Sequence, residues 1–138
     1  MGYFNESGVI KAELLDETAM EKAKSFLEYY FDKRKQQKRL NERMSLSSAQ
    51  LRRFYGEFKR LEKKVKAEGF DKVKPLIKMT KSKASYAANR PNPIPETFKT
   101  FIIDNVNEIN SQRDFEAFML HFEAVVGFFY GIPEVRSN

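Results

Sequence analysis

The chain has 138 residues, with 25 Lys and Arg against 19 Asp and Glu, no cysteine and a single histidine, His121. That composition excludes disulfides, thiolate metal ligands, thiol nucleophiles and a histidine-rich metal centre. A hydrophobic content of 41% beside 32% charged residues fits a folded soluble domain, and a chain of this length can bury roughly 68–70% of its unfolded surface.

In chain order, residues 1–15 carry Glu6 and Glu13 and lack a basic start followed by an apolar run, so no signal peptide is expected. They are read as a flexible N-terminal segment of one helical domain spanning residues 1–138. Thr18 with Glu21 has capping-box spacing and predicts a first helix from Ala19 into the basic run. Met20, Ala23, Phe26, Leu27, Tyr30 and Phe31 supply its apolar positions at three-and-four spacing. Ser47 with Gln50 repeats the capping pattern and opens a second helix that Gly69 closes. A third starts near Pro75 and runs to about Asn89. Pro91, Pro93 and Pro95 mark a rigid connection, and a fourth helix follows from Pro95 to about Ile109. Ser111 with Asp114 caps a fifth, ended by Gly131 and Pro133. Strand signals are nearly absent, so the expected fold is all-α, a compact bundle of about five helices. The longest apolar stretch, Ala124 to Tyr130, is far too short to span a bilayer, and a cytoplasmic location is expected.

Charge is distributed unevenly. Residues 1–30 carry a net −3, residues 31–90 a net +13, and residues 91–138 a net −4. The densest run is Lys33-Arg34-Lys35-Gln36-Gln37-Lys38-Arg39, read either as a solvated helix end or as a functional basic patch. On the second helix, Leu51, Phe54, Phe58, Leu61 and Val65 share one face. Arg52, Lys59, Lys63 and Lys66 lie almost opposite, with Arg53, Arg60 and Lys64 beside them, and Glu57, Glu62 and Glu68 at the margins. Lys74, Lys78 and Lys81 align on the third helix. A solvated face usually mixes signs, and like charges repel, so this face is read as a polyanion-binding surface. Tyr55, Phe70 and Tyr86 are available to stack on bases, although each reads equally well as core. The fifth helix, with Phe115, Phe118, Met119, Phe122, Val125, Val126, Phe128 and Phe129, reads as central to the bundle or as buried in part by another chain, with core the safer reading.

Catalytic signals are weak. No nucleophile stands with its base, no Gly-rich phosphate loop is present, and the acids are scattered. His121, among aromatics, reads as a packed residue. No catalytic residue, metal or cofactor is expected.

Three blocks carry a family resemblance. Ser47-Ser48-Ala49-Gln50-Leu51-Arg52-Arg53-Phe54 is one, Tyr86-Ala87-Ala88-Asn89-Arg90 is another, and Phe118 through Tyr130, with Glu123-Ala124-Val125-Val126 and Phe128-Phe129-Tyr130, is the third. In this order they resemble the small subunit of type III-A CRISPR effector complexes, the Csm complex. Asn89 stands where the family usually has Gly, and both residues can end a helix. The resemblance implies a helical, non-catalytic subunit that contacts guide RNA and target RNA through basic side chains. Its implied neighbours are the backbone and large subunits and other copies of itself, with no membrane. On the matched motifs Arg52, Arg53 and Arg90 are the first RNA-binding candidates. Helix geometry adds Lys59, Arg60, Lys63, Lys78 and Lys81. Two rivals share the basic faces: a general single-stranded nucleic-acid-binding helical protein outside CRISPR, and an interaction module for an acidic protein.

Overall fold

The computed structural model describes residues 2–135. Five α-helices carry the fold: α1 (Glu17–Ser25), α2 (Ser48–Glu68), α3 (Phe70–Ala87), α4 (Glu96–Glu108) and α5 (Gln112–Tyr130). Between α1 and α2 lies one antiparallel hairpin, β1 (Tyr29–Asp32) with β2 (Gln37–Leu40), in which Tyr29 pairs with Leu40 and Phe31 with Lys38. Two short 3₁₀ turns, Ala12–Leu15 and Glu42–Met44, flank α1 and the hairpin. The architecture is all-α, as expected, with the hairpin as its one β-sheet among the described residues, beside an isolated antiparallel bridge between Phe4 and Ile10.

The hairpin corrects the first-helix expectation. Helix α1 stops at Ser25, well short of the basic run. Its N-cap is Asp16, without a side-chain cap, so the Thr18–Glu21 box does not form. Three successive aromatics, Tyr29-Tyr30-Phe31, favour a pleated strand. Asp32 Oδ1 accepts the Arg34 and Lys35 N–H groups at 2.9 and 3.3 Å and turns the chain back. Gln36 completes the turn at φ 52°. Ser45 Oγ accepts the Glu28 N–H at 2.8 Å, and the Leu46 N–H donates to the Phe26 carbonyl at 2.8 Å. Those groups take backbone partners that a continuing helix would otherwise supply.

Helix α2 follows the sequence closely. Ser47 Oγ accepts the Gln50 N–H while the Gln50 side chain accepts the Ser47 N–H, closing the capping box. Leu51, Phe54, Phe58, Leu61 and Val65 are buried. Gly69 alone joins α2 to α3, at φ 95° and ψ 153°, a region essentially restricted to glycine. Helix α3 therefore begins at Phe70, a turn earlier than expected, and Pro75 lies inside it. The missing N–H of Pro75 leaves the Asp71 carbonyl without its helical donor; both residues are exposed near the helix start, where water can serve it. Ser111 Oγ accepts the Asp114 N–H to cap α5.

The helices close a ring of neighbours: α2 packs on α3, α3 on α4, α4 on α1, α1 on α5, and α5 back on α2. Phenylalanine rings fill the centre. Phe26 meets Phe98 edge-on at 5.0 Å between centroids, and Phe58 meets Phe118 at 5.0 Å. Phe122 touches the rings of Tyr55, Phe58, Phe98, Phe101 and Phe118. Tyr3 is buried, its hydroxyl donating to Asn105 Oδ1 at 2.9 Å and to the Asn105 carbonyl at 3.1 Å, which fastens the N-terminal residues to α4.

Three substitutions check this account in a denaturant titration. Phe122→Ala should lose about 3–5 kcal/mol, the range for emptying an aromatic site in a core. Gly69→Ala should lose about 1–3 kcal/mol through backbone conformation alone, because nothing lies near the added methyl. Gly56→Ala, in open space mid-helix, should gain about 0.5–1 kcal/mol.

Candidate nucleic-acid interface

The basic face of α2 is sorted by its marginal glutamates. Arg60 Nη2 lies 2.8 Å from Glu57, Lys59 Nζ 2.9 Å from Glu62, and Lys64 Nζ 3.1 Å from Glu68. These are exposed pairs at i,i+3 and i,i+4 spacing, each of small energetic value. Arg52, Arg53, Lys63 and Lys66 are exposed and make no ion pair among the described residues. The seven-cation face is thus three neutralised positions and four open ones.

Glu57 also receives a cation from the next helix, Lys83 Nζ at 2.8 Å. Hydrogen bonds from Arg60 and Lys83, outweighing partial burial, hold its carboxyl down to about 2. The triad stitches α2 to α3.

Nearer the start of α2 the two helices and the following connection enclose a groove. Arg53, Phe54, Tyr86 and Ala87 line it throughout, Glu57, Ser82 and Lys83 form one end, and Gln50, Arg90, Asn92 and Ile94 the other. Tyr86 is 64% exposed, and the Arg90 guanidinium lies over its ring at 4.7 Å. The connection is held in place by specific bonds. Gln50, already the capping residue, donates from Nε2 to the Asn92 carbonyl at 2.9 Å. The Ile94 N–H donates to the Ala87 carbonyl at 3.2 Å, and Ile94 is buried. Asn92 adopts φ 47°, a conformation Asn tolerates. Arg90 is therefore presented from an anchored loop.

Of the eight predicted cations, the groove brings together Arg53 and Arg90. Arg52, Lys59, Arg60 and Lys63 lie along the exposed side of α2. Lys78 and Lys81 face a different neighbour. Lys78 Nζ donates to the Val106 carbonyl at 2.8 Å, and Lys81 Nζ to Asn107 Oδ1 at 2.7 Å, so both engage the C-terminal turn of α4, where carbonyls lack helical donors and cations are favoured. Partial burial, reinforced by Lys74 and Lys81, lowers the Lys78 pKa. Of the three candidate stacking rings, Tyr86 is the exposed one. Phe70 is buried, and Tyr55 packs edge-on against Phe122. Lys83 was missed in the sequence; it stands one turn before Tyr86, which is the spacing that would have found it.

The basic run forms the hairpin. Lys33, Arg34 and Lys35 make its tip, while Lys38 lies over the Tyr29 ring and Arg39 faces Asp32 at 3.6 Å. Tyr30 and Phe31 are exposed on β1. His121 is buried, its Nδ1 against the Leu14 carbonyl, and burial chiefly lowers its pKa.

The family model described as Csm2 Type III-A matches residues 30–131, from the hairpin through α5 and reaching upstream of the three motif blocks. No curated protein and no solved structure matches the chain.

The Glu57 clamp has a testable acid signature. Its folded pKa lies below the ordinary 4.5, so its contribution is complete above about pH 5 and disappears as pH falls toward 2. Glu57→Gln should lose about 1–2 kcal/mol at pH 7, allowing for solvent screening. Its unfolding free energy should also fall less steeply than that of the wild type between pH 5 and 2. Parallel pH profiles for the two proteins would rule the clamp out.

Proposed function

The chain belongs to the type III-A Csm2 family, the small subunit of the type III-A Csm complex, and we propose that it binds guide and target RNA there along their phosphate backbones, without reading sequence. In this reading it is a structural, non-catalytic component of a cytoplasmic antiviral complex, making contacts with the backbone and large subunits and with other copies of itself. The observation that carries the RNA-binding role is the convergence of Arg53 and Arg90 on one groove beside the unpaired cations of α2. Where base pairing between guide and target supplies specificity, the protein needs only shape and charge. Cations on a rigid helix supply both by meeting phosphates, and arginine adds hydrogen bonds to 2′-hydroxyls and stacking on exposed bases.

Arg52, Arg53 and Arg90 lead the proposed contacts, followed by Lys63. Lys59 and Arg60 can contribute by exchanging Glu62 and Glu57 for phosphate. Lys78 and Lys81 contribute least, since each already serves α4. The exposed Tyr30 and Phe31 of the hairpin and Leu120 of α5 offer apolar surface for neighbouring subunits.

The test is a salt titration of binding to an unrelated single-stranded RNA of about 30 nucleotides, followed by fluorescence anisotropy. Affinity should fall with a log–log slope of roughly −0.7 per phosphate neutralised. Arg52→Ala/Arg53→Ala/Arg90→Ala should bind more weakly, with a slope shallower by about 2 if each arginine meets one phosphate. An unchanged slope would move the RNA face elsewhere. Absence of binding at low salt, both for the chain alone and after reconstitution with the backbone subunit, would remove the RNA-binding role.

A further inference from the structure

The groove between the start of α2 and the end of α3 is more than a cationic strip, because its floor is aromatic and apolar. We propose that it holds one unstacked nucleotide of single-stranded RNA, with the base on the exposed Tyr86 ring and the phosphate at the Arg53–Arg90 end. This assignment rests on the RNA-binding reading above and specifies the form of RNA the site takes.

Three features carry it. First, Tyr86 bears the Arg90 guanidinium on its ring and is still 64% exposed. An aromatic face of that kind is a platform for any base, since every base has a π-face. Second, Phe54, Ala87 and Ile94 line the groove beside it, giving the edge of a bound base an apolar wall. Third, the electrostatics of the groove are directional. At one end the single carboxylate of Glu57 is shared by Lys83 and Arg60, leaving a net charge of about +1 against the two unpaired arginines at the other. At the other, Arg53 makes no ion pair among the described residues and Arg90 meets only a ring. An anion is therefore drawn to Arg53 and Arg90, and its base falls on Tyr86, which lines the same stretch of the groove. A continuous duplex keeps its bases stacked and cannot present a face to Tyr86 without breaking that stack. The groove accordingly selects single strands or unstacked positions, independent of base identity.

The chain contains no tryptophan, so Tyr86→Trp introduces a single indole as a reporter in the full-length protein. The probes are an unstructured 12-nucleotide RNA of mixed sequence and the duplex formed with its complement. The single strand should quench the indole emission of Tyr86→Trp, and the duplex should not. Tyr86→Ala should weaken single-strand binding about 5- to 100-fold, the range for losing one stacked base. It should leave the salt slope and the duplex affinity unchanged, because a ring neutralises no phosphate. Tyr86→Phe should bind like wild type. If Tyr86→Ala binds the single strand as well as wild type and the indole stays unquenched while RNA is bound, the stacking site is refuted and the phosphate-binding role stands. Equal weakening toward single strand and duplex would also refute it. If wild type binds neither RNA, alone or reconstituted with the backbone subunit, the RNA-binding reading fails and this inference with it.

Discussion

The ring of Phe122 sits among Tyr55, Phe58, Phe98, Phe101 and Phe118, so α2, α4 and α5 share a single aromatic centre. Phe26 brings the end of α1 to the same centre through Phe98, Phe101 and Phe129. Rings that meet edge to face have preferred geometries, and their packing resists rotation of one helix against another. Phe54 and Phe58 thereby fix the angle of α2 about its own axis. The direction in which Arg52, Arg53, Lys59 and Lys63 leave the helix follows from those two anchors. Helix α3 lends no ring pair to the centre. It joins the core through the aliphatic Val73, Ile77 and Ala84 and through Phe70, and the Glu57–Lys83 pair and the reach of Lys78 and Lys81 to the end of α4 add polar ties.

Lysines and arginines that looked equivalent thus fall into distinct roles. Some are tied to glutamates on their own helix, some cap the end of α4, and some remain open to solvent. Net charge alone would have counted all of them toward an RNA surface. The polar partners show where charge is already spent on the fold and where it remains available: Arg52, Arg53 and Arg90 are open at the start of α2 and just past the end of α3, and Lys63 and Lys66 further along α2.

The second and fifth helices were legible in the sequence, because their caps and apolar stripes agree with each other and with the core they face. The segment after Ser25 was not. Phe26, Leu27, Tyr30 and Phe31 keep helical spacing, yet the first two are buried and the last two are exposed on a strand. What decides between helix and hairpin is a set of partners far along the chain, the Ser45 hydroxyl and the Leu46 N–H, which local pattern does not reveal. The site divides in the same way. Arg53, Tyr86 and Arg90 stood out in the motifs, and the Arg60–Glu57 and Lys59–Glu62 pairs follow from helical spacing. Their convergence on one groove depends on Gln50 holding Asn92, and the diversion of Lys78 depends on Val106, both long-range contacts.

The single-residue joint at Gly69 makes α2 and α3 behave as a ruler folded in half. Helix α2 has 21 residues and α3 has 18, and the groove lies at the open ends, furthest from the joint. One residue inserted in either helix would advance everything beyond it by about 1.5 Å and about 100° relative to the partner. Arg53 would then lose its place opposite Tyr86, even though every residue of the groove was still present. A change of length within this pair of helices therefore keeps the groove together only when it comes as matched whole turns on both sides of the joint.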